Sequence, residues 1–318
     1  MLVGRPADVP GRATWEDTVK EVLAALEKMD GDLEWDGSET LPNPPGSCGI
    51  NLRGKYRTCS LGPSFGGGQT VSIFLLLPFR LIHPLVQFPQ NFSHKEFNIP
   101  VFEAFLENAA VERMAKVASS KCTSTHHESA LLIFTGAMAF YAPKLYQYYC
   151  TTMKELYDSD TALEPPFKGS VFASMSPNPK KAVAHMHKDT GNLAFGWCGI
   201  QSLGHFDYKK GGHLILQELG LVVEFPPGST ILLPSASVTH GNTPIAAEET
   251  RSSLVHYSAG GLFRWVEYGC QKWEDFKQAD PVNAAKAWDA RTTTRVPFAL
   301  SLFSKVDELL SDQVSVYN

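Results

Sequence analysis

Residues 226–257 read PPGSTILLPSASVTHGNTPIAAEETRSSLVHY. Two apolar runs, TILLPS (230–235) and SSLVHYSA (252–259), stand on either side of a polar, turn-rich loop. Short apolar runs bounded by Pro, Gly and Asn are strand signals, and Pro226-Pro227-Gly228 supplies the bend that opens the first run. His240 sits just past the TILLPS strand, where a barrel mouth would be. Arg251 opens the next strand, and Ser253 and Tyr257 share its face by period-2 alternation.

The same texture continues upstream. VFASMS (171–176), LAFGWCGIQSL (193–203), HLILQEL (213–219) and LVVEF (221–225) alternate with turns, and Gly211-Gly212 marks another bend. Evenly spaced short strands indicate a sandwich or barrel. The flanks read as helix. Thr14 with Asp17 is close to a capping box for a helix over 14–30 that Gly31 stops. Further helices are expected over 100–118, from Pro143 to about Tyr157, from Asp280-Pro281, and over 296–312, which is strongly amphipathic. The expected fold is mainly β with flanking helices, as one domain over 1–318. Helical and loop support covers 1–165, the strand-rich core 166–268, and C-terminal helices 269–318.

The chemistry begins at His187-Lys188-Asp189. On a strand His187 and Asp189 point to one face. Asp189 and His240 are 51 residues apart, enough for several strands to run out and return. Two imidazoles and one carboxylate make the facial triad of non-haem Fe(II) sites, which leaves open positions for a co-substrate and O₂. An arginine soon after the second histidine suits a dicarboxylate co-substrate, because its planar fork matches a carboxylate. His205, His256, His83, His94, His126 and His127 lack such a context and read as surface or structural residues. The Gly-rich SFGGGQ (64–69) lacks the G-K-[ST] of a phosphate loop and reads as a turn.

Composition adds exclusions. The net charge of −5 gives no general basic footprint, although a local basic face remains open. The six cysteines form no C-x-x-C pair, so no zinc knuckle or thioredoxin-type site is signalled, and their sparseness points to reduced thiols in an intracellular compartment. No signal-peptide pattern opens the chain. The apolar run 71–89 is interrupted by Pro78, Arg80, Pro84 and Pro89, which argues against a membrane helix.

In order, G-G-H-L (211–214), P-P-G-S-T-I-L-L-P-S (226–235), H-G-N-T-P-I (240–245) and T-R-S-S-L (250–254) resemble the 2-oxoglutarate/Fe(II) dioxygenases over about 170–267. The fold implied is a double-stranded β-helix, or jelly roll. H-K-D-T-G-N (187–192) and R-S-S-L-V-H-Y (251–257) look more narrowly like the TET/JBP branch, which oxidises methylated DNA bases. The phrases around them look most like its expanded family in mushroom-forming fungi.

The resemblance implies that His187, Asp189 and His240 hold Fe(II). Arg251 would bind the 2-oxoglutarate C5 carboxylate, with Ser253 in support and His213 at the C1 carboxylate. Asn192 would hydrogen-bond a flipped base and Tyr257 would stack on it. The structural alternatives are a plain strand histidine at 213, a turn at Asn192 and barrel packing at Tyr257. The implied reaction uses O₂ to hydroxylate the methyl group of 5-methylcytosine, or N6-methyladenine, in DNA, while 2-oxoglutarate leaves as succinate and CO₂. Flipping is required because a stacked base cannot reach a buried ion. Lys180, Lys181, Lys188, Lys209, Lys210 and Arg264 are candidate phosphate contacts. The expected setting is intracellular and nuclear, with no membrane partner. Oxygenases of protein or small molecules, and a non-catalytic jelly-roll relative, are the alternatives.

Two departures stand out. Ala259 occupies the position where animal TET enzymes place a base-contacting histidine, and their cysteine-rich zinc-binding region is missing. The segments 70–90 and 121–136 fit the pattern poorly. They read either as insertions, such as unspliced introns, or as a genuine buried strand and a polar loop.

Overall fold

The computed structural model describes residues 2–4, 8, 13–33, 56–58, 60–63, 86–87, 99–118, 136–160, 163, 165, 167 and 170–317. Of the two segments that read as insertions, 70–90 lies outside these residues except at 86–87, and 121–136 except at Gly136.

The described chain mixes helix with antiparallel sheet, which corrects the mainly-β expectation. The strands are β1 (Leu2–Gly4), β2 (Ser60–Leu61), β3 (Val86–Gln87), β4 (Ser174–Asn178), β5 (Cys198–His205), β6 (Leu214–Leu216), β7 (Leu221–Val223), β8 (Thr230–Leu233), β9 (His240–Asn242) and β10 (Thr250–Tyr257). They form a large sheet, ordered β1-β8-β5-β10-β4-β2-β3, and a small one, ordered β7-β6-β9. Successive strands switch sheets: β5 lies in the large sheet, β6 and β7 in the small, β8 in the large, β9 in the small and β10 in the large.

Side-chain alternation divides the core. Cys198, Ile200, Ile231 and Leu233 of the large sheet meet Leu214, Leu216 and Phe225 in one buried cluster. The opposite side chains of the same sheet, including Leu61, Met175, Leu203 and Leu254, pack under helices. These central strands are therefore apolar on both faces, and helices must cover the outer one. That demand is the physical reason the protein is not mainly β.

Helices α1 (Trp15–Asp32), α2 (Ile99–Leu106) and α3 (Ala109–Ala118) lie beside that outer face. Thr14 caps α1 as expected, its hydroxyl accepting the Asp17 N–H at 3.1 Å. The helix runs through Gly31 to Asp32 instead of stopping there. The single helix expected over 100–118 is two, because the Asn108 side-chain oxygen accepts the Ala110 and Val111 N–H groups and restarts the chain as a new N-cap.

Helices α4 (Ala137–Tyr141) and α5 (Pro143–Ser159), the latter entered through Pro143 as expected, pack with α6 (Gly260–Glu267) around Tyr149, Phe172 and Phe263. The tail forms α7 (Trp273–Ala279), α8 (Pro281–Thr293), α9 (Arg295–Ser301) and α10 (Leu309–Tyr317). The continuous helix expected over 296–312 is thus broken after α9. Lys144 of α5 binds Glu308 and Asp312 at 3.2 and 3.0 Å, tying the restarted helix to α5. Among the described residues, no helix is long and apolar enough to cross a membrane.

Candidate metal centre

His187 and His240 form an isolated antiparallel bridge, extending the edge of the small sheet beside β9. Their rings lie 4.4 Å apart between centroids. Asp189 sits beyond the bridge in a turn, its N–H donating to the Ser235 carbonyl at 2.9 Å. His187 Nε2 is 3.5 Å from Asp189 Oδ1, and His240 Nε2 is 3.8 Å from Asp189 Oδ2. One ligand atom from each of the three residues falls within 4.8 Å of the others.

The histidine tautomers follow from their partners. His187 Nδ1 lies 2.8 Å from the His185 carbonyl, and His240 Nδ1 lies 2.9 Å from the Val238 carbonyl. A carbonyl only accepts, so each Nδ1 carries the proton and each neutral ring keeps a lone pair at Nε2. Both lone pairs lie on the Asp189 side. Backbone carbonyls orienting the far nitrogen are a recurrent support for metal-binding histidines. The donor set therefore fits one metal ion.

Arg251, Ser253 and Val255 line the same cleft as the triad, as period-2 alternation along β10 requires. Arg251 is 2% exposed. Its Nη1 donates to the Ala182 carbonyl, its guanidinium lies 5.9 Å from the Phe225 ring centroid, and its buried Nε has no hydrogen-bond partner among the described residues. A buried cationic donor left over in a cleft fits an anionic ligand. Burial pushes the guanidinium down to about 10, against an opposing pull from Tyr56, so it stays charged at neutral pH. Ser253 Oγ accepts from Asn178 Nδ2 at 3.1 Å. Gly212 leaves room for the arginine: it has φ 69°, and a Cβ there would lie 2.6 Å from the Phe206 ring and 3.3 Å from Arg251 Cδ.

Five expected site residues thus converge, and three stand apart from the cleft lining. Leu214 lines the cleft, so its neighbour His213 projects to the other face, where its Nδ1 meets Thr243 Oγ1 at 3.0 Å. Asn192 closes the Asp189 turn, its N–H donating to the Asp189 carbonyl and its side-chain amide to Ser235 Oγ at 3.1 Å. Tyr257 is half-buried against the cluster between the sheets. His256 is structural as expected: it is buried beside Gln201, and burial pulls its imidazole down to about 4. His205 is exposed, while His83, His94, His126 and His127 lie outside the described residues.

Four candidate phosphate contacts are engaged internally. Lys180 binds Asp30, Lys181 the Ala247 and Glu249 carbonyls, Lys188 Glu218, and Lys210 Asp207. Sequence reasoning missed Tyr56, Asn178 and Asn242, which also line the cleft. Asn242 was findable, since it sits two residues past His240 on the same strand face. Tyr56 lies in a Gly/Pro-rich segment with no periodicity to mark it.

No family model matches this chain, and no curated protein does. Solved structures that match include NgTET1 in complex with 5mC DNA, at 17% identity and TM-score 0.32, covering 49% of this chain and 54% of that one. Another is the viral collagen prolyl hydroxylase of Paramecium Bursaria Chlorella virus-1 in a 2OG complex, at 13% identity and TM-score 0.22, covering 27% of this chain and 59% of that one. The chain spans little more than half the length of either neighbour.

Proposed function

We propose that this protein is an Fe(II)- and 2-oxoglutarate-dependent dioxygenase acting on the methyl group of a modified DNA base, 5-methylcytosine first and N6-methyladenine second. One observation carries the reading: the three metal-donor side chains share a cleft with a buried arginine whose Nε has no partner among the described residues. The switching of strands between two sheets supports a double-stranded β-helix spanning 166–268, within a single domain braced by 1–165 and 269–318. The motifs at 187–192 and 251–257 support the TET/JBP branch, and the fungal assignment rests on sequence phrases alone. A nuclear setting follows from the DNA substrate.

His187, Asp189 and His240 would hold the iron. Bound iron would supply O₂ activation coupled to decarboxylation of 2-oxoglutarate. The protein's own residues bind and orient. Arg251 would receive the distal carboxylate on its buried guanidinium, where a charge-assisted bond is strong. Ser253, held by Asn178, would add a hydroxyl to that contact. Asn192 and Tyr257 would meet the base only after local rearrangement, since neither lines the cleft. His213 is a weaker candidate for the proximal carboxylate, because its ring nitrogen already meets Thr243.

A second reading, an oxygenase of protein or small molecules, is favoured by the engaged lysines and the occupied Asn192 amide. The deciding experiment incubates methylated DNA with enzyme, Fe(II) and 2-oxoglutarate, followed by mass spectrometry of nucleosides and assay of succinate. Oxidised base is expected. Succinate without oxidised base would retain the oxygenase and discard the DNA substrate, and absence of both would favour a non-catalytic relative.

A further inference from the structure

The three donor residues have neighbours that point the other way. Alternation along extended chain turns Lys188, between His187 and Asp189, and Thr239, before His240, away from the cleft. On that far side a single carboxylate gathers both. Glu218 Oε2 accepts the Thr239 N–H at 2.6 Å, Oε1 accepts the Thr239 hydroxyl at 2.6 Å, and Oε1 lies 2.9 Å from the Lys188 ammonium.

Glu218 reaches this position because β6 ends in a 3-10 turn, Gln217–Leu219, closed by Gly220 at φ 61°. The strand is already in register with the ligands, Leu216 pairing with His240. The next residue, Gln217, donates its N–H to the Thr239 carbonyl at 2.9 Å. Backbone and side chain of one turn therefore hold the same residue, and the side chain reaches on to Lys188.

The tie falls where the backbone ladder gives way. His187 and His240 exchange both backbone bonds at 2.9 Å, and the next bond runs from the Asp189 N–H to the Ser235 carbonyl. In antiparallel register Lys188 and Thr239 are the pair immediately after the bridge, on the step that carries the chain from His187 to Asp189. A connection at that step limits rotation of Asp189 relative to the two imidazoles.

We propose that Glu218 is a positioning residue for the metal centre, clasping the His187–Asp189 segment to the His240 segment from outside. The proposal rests on the metal reading above and goes beyond it to a residue that touches neither ion nor substrate. The side chains of Glu218 and Lys188 are 42% and 41% exposed, so the pair is screened and adds little to global stability. Its effect should therefore appear at the metal rather than in unfolding.

The test uses the whole chain with Co(II) as a spectroscopic probe. It measures the Co(II) dissociation constant, the visible absorption of the bound ion and the metal-free melting temperature. Glu218→Ala should weaken Co(II) binding about tenfold, the lower end for residues that support metal ligands. It should also alter the absorption band and leave metal-free melting nearly unchanged. Glu218→Gln keeps one acceptor oxygen for the Thr239 N–H, loses the ion pair with Lys188, and should restore part of the affinity. Parent-like binding and absorption in Glu218→Ala would overturn the clasp alone. A marked fall in metal-free melting, with no recovery of binding in Glu218→Gln, would also overturn it by assigning Glu218 to general folding. A parent chain that binds no Co(II) would remove the metal reading and the clasp together.

Discussion

His187 and His240 donate their backbone N–H groups to each other's carbonyls, at 2.9 Å in both directions. This is a hydrogen-bonded antiparallel pair, which places two side chains side by side on one sheet face. Two residues 53 positions apart in sequence thereby become one imidazole pair, with Asp189 opposite both Nε2 atoms.

That geometry assigns the metal to three side chains, and each should be required. Asp189→Ala and His240→Ala should each reduce Co(II) affinity by at least about a hundredfold, since each leaves only two protein donors of a facial triad. Titration calorimetry measures the loss, and circular dichroism checks that the fold remains. Full 2-oxoglutarate turnover by Asp189→Ala would refute the iron assignment.

Arg251 should set the affinity for 2-oxoglutarate. Arg251→Met keeps apolar packing near Phe225 but removes the charge and the donors. Hydrogen bonds to charged groups contribute about 1.5–3 kcal/mol, so the KM should rise roughly 10–100-fold. Succinate formation across a 2-oxoglutarate titration checks this. An unchanged KM would move the co-substrate site elsewhere.

Gly212 should be intolerant for two separable reasons. At φ 69° a side chain is strained, and a Cβ would also press on the Phe206 ring and approach Arg251. Gly220 has φ 61° with no described residue within 4 Å of an added Cβ. Gly220→Ala should therefore show only the left-handed backbone cost, about 1 kcal/mol. Gly212→Ala should lose more stability and also weaken 2-oxoglutarate binding. Equal melting temperatures for the two variants would remove the steric argument.

His256 should contribute an acid-labile element. Burial lowers its folded pKa to about 4, while the unfolded chain takes up the proton near 6.5. Below pH 6.5 the unfolded state binds more protons, so stability falls as pH drops towards 4 and levels off below that. At pH 5 the loss from this group is about 2 kcal/mol. Denaturant unfolding of the metal-free protein at pH 7 and pH 5 measures it, and His256→Asn should flatten the slope. A wild-type slope in that variant would assign the acid sensitivity to other groups.

The amino-acid sequence alone was enough to find six of the seven strands from 174 to 257 and to name five of the residues that line the cleft, while the three-residue β9 lay hidden in what reads as a turn-rich loop. Alternation told which side of β10 carries Arg251 and Ser253, and motif spacing related His187 and Asp189 to His240. The resemblance added two roles whose side chains the fold engages elsewhere. It implied a co-substrate contact at His213, yet it is Leu214 that lines the cleft from β6. Asn192 looked like a base contact, yet its amide is held by Ser235, 43 residues away. Only the tertiary structure decided such pairings, since a hydrogen bond between distant residues depends on sheet register. The same cause hid the Glu218 clasp and the cleft positions of Tyr56 and Asn178. Their roles come from elements that meet only when the two sheets close, and no periodicity in the chain reports that meeting.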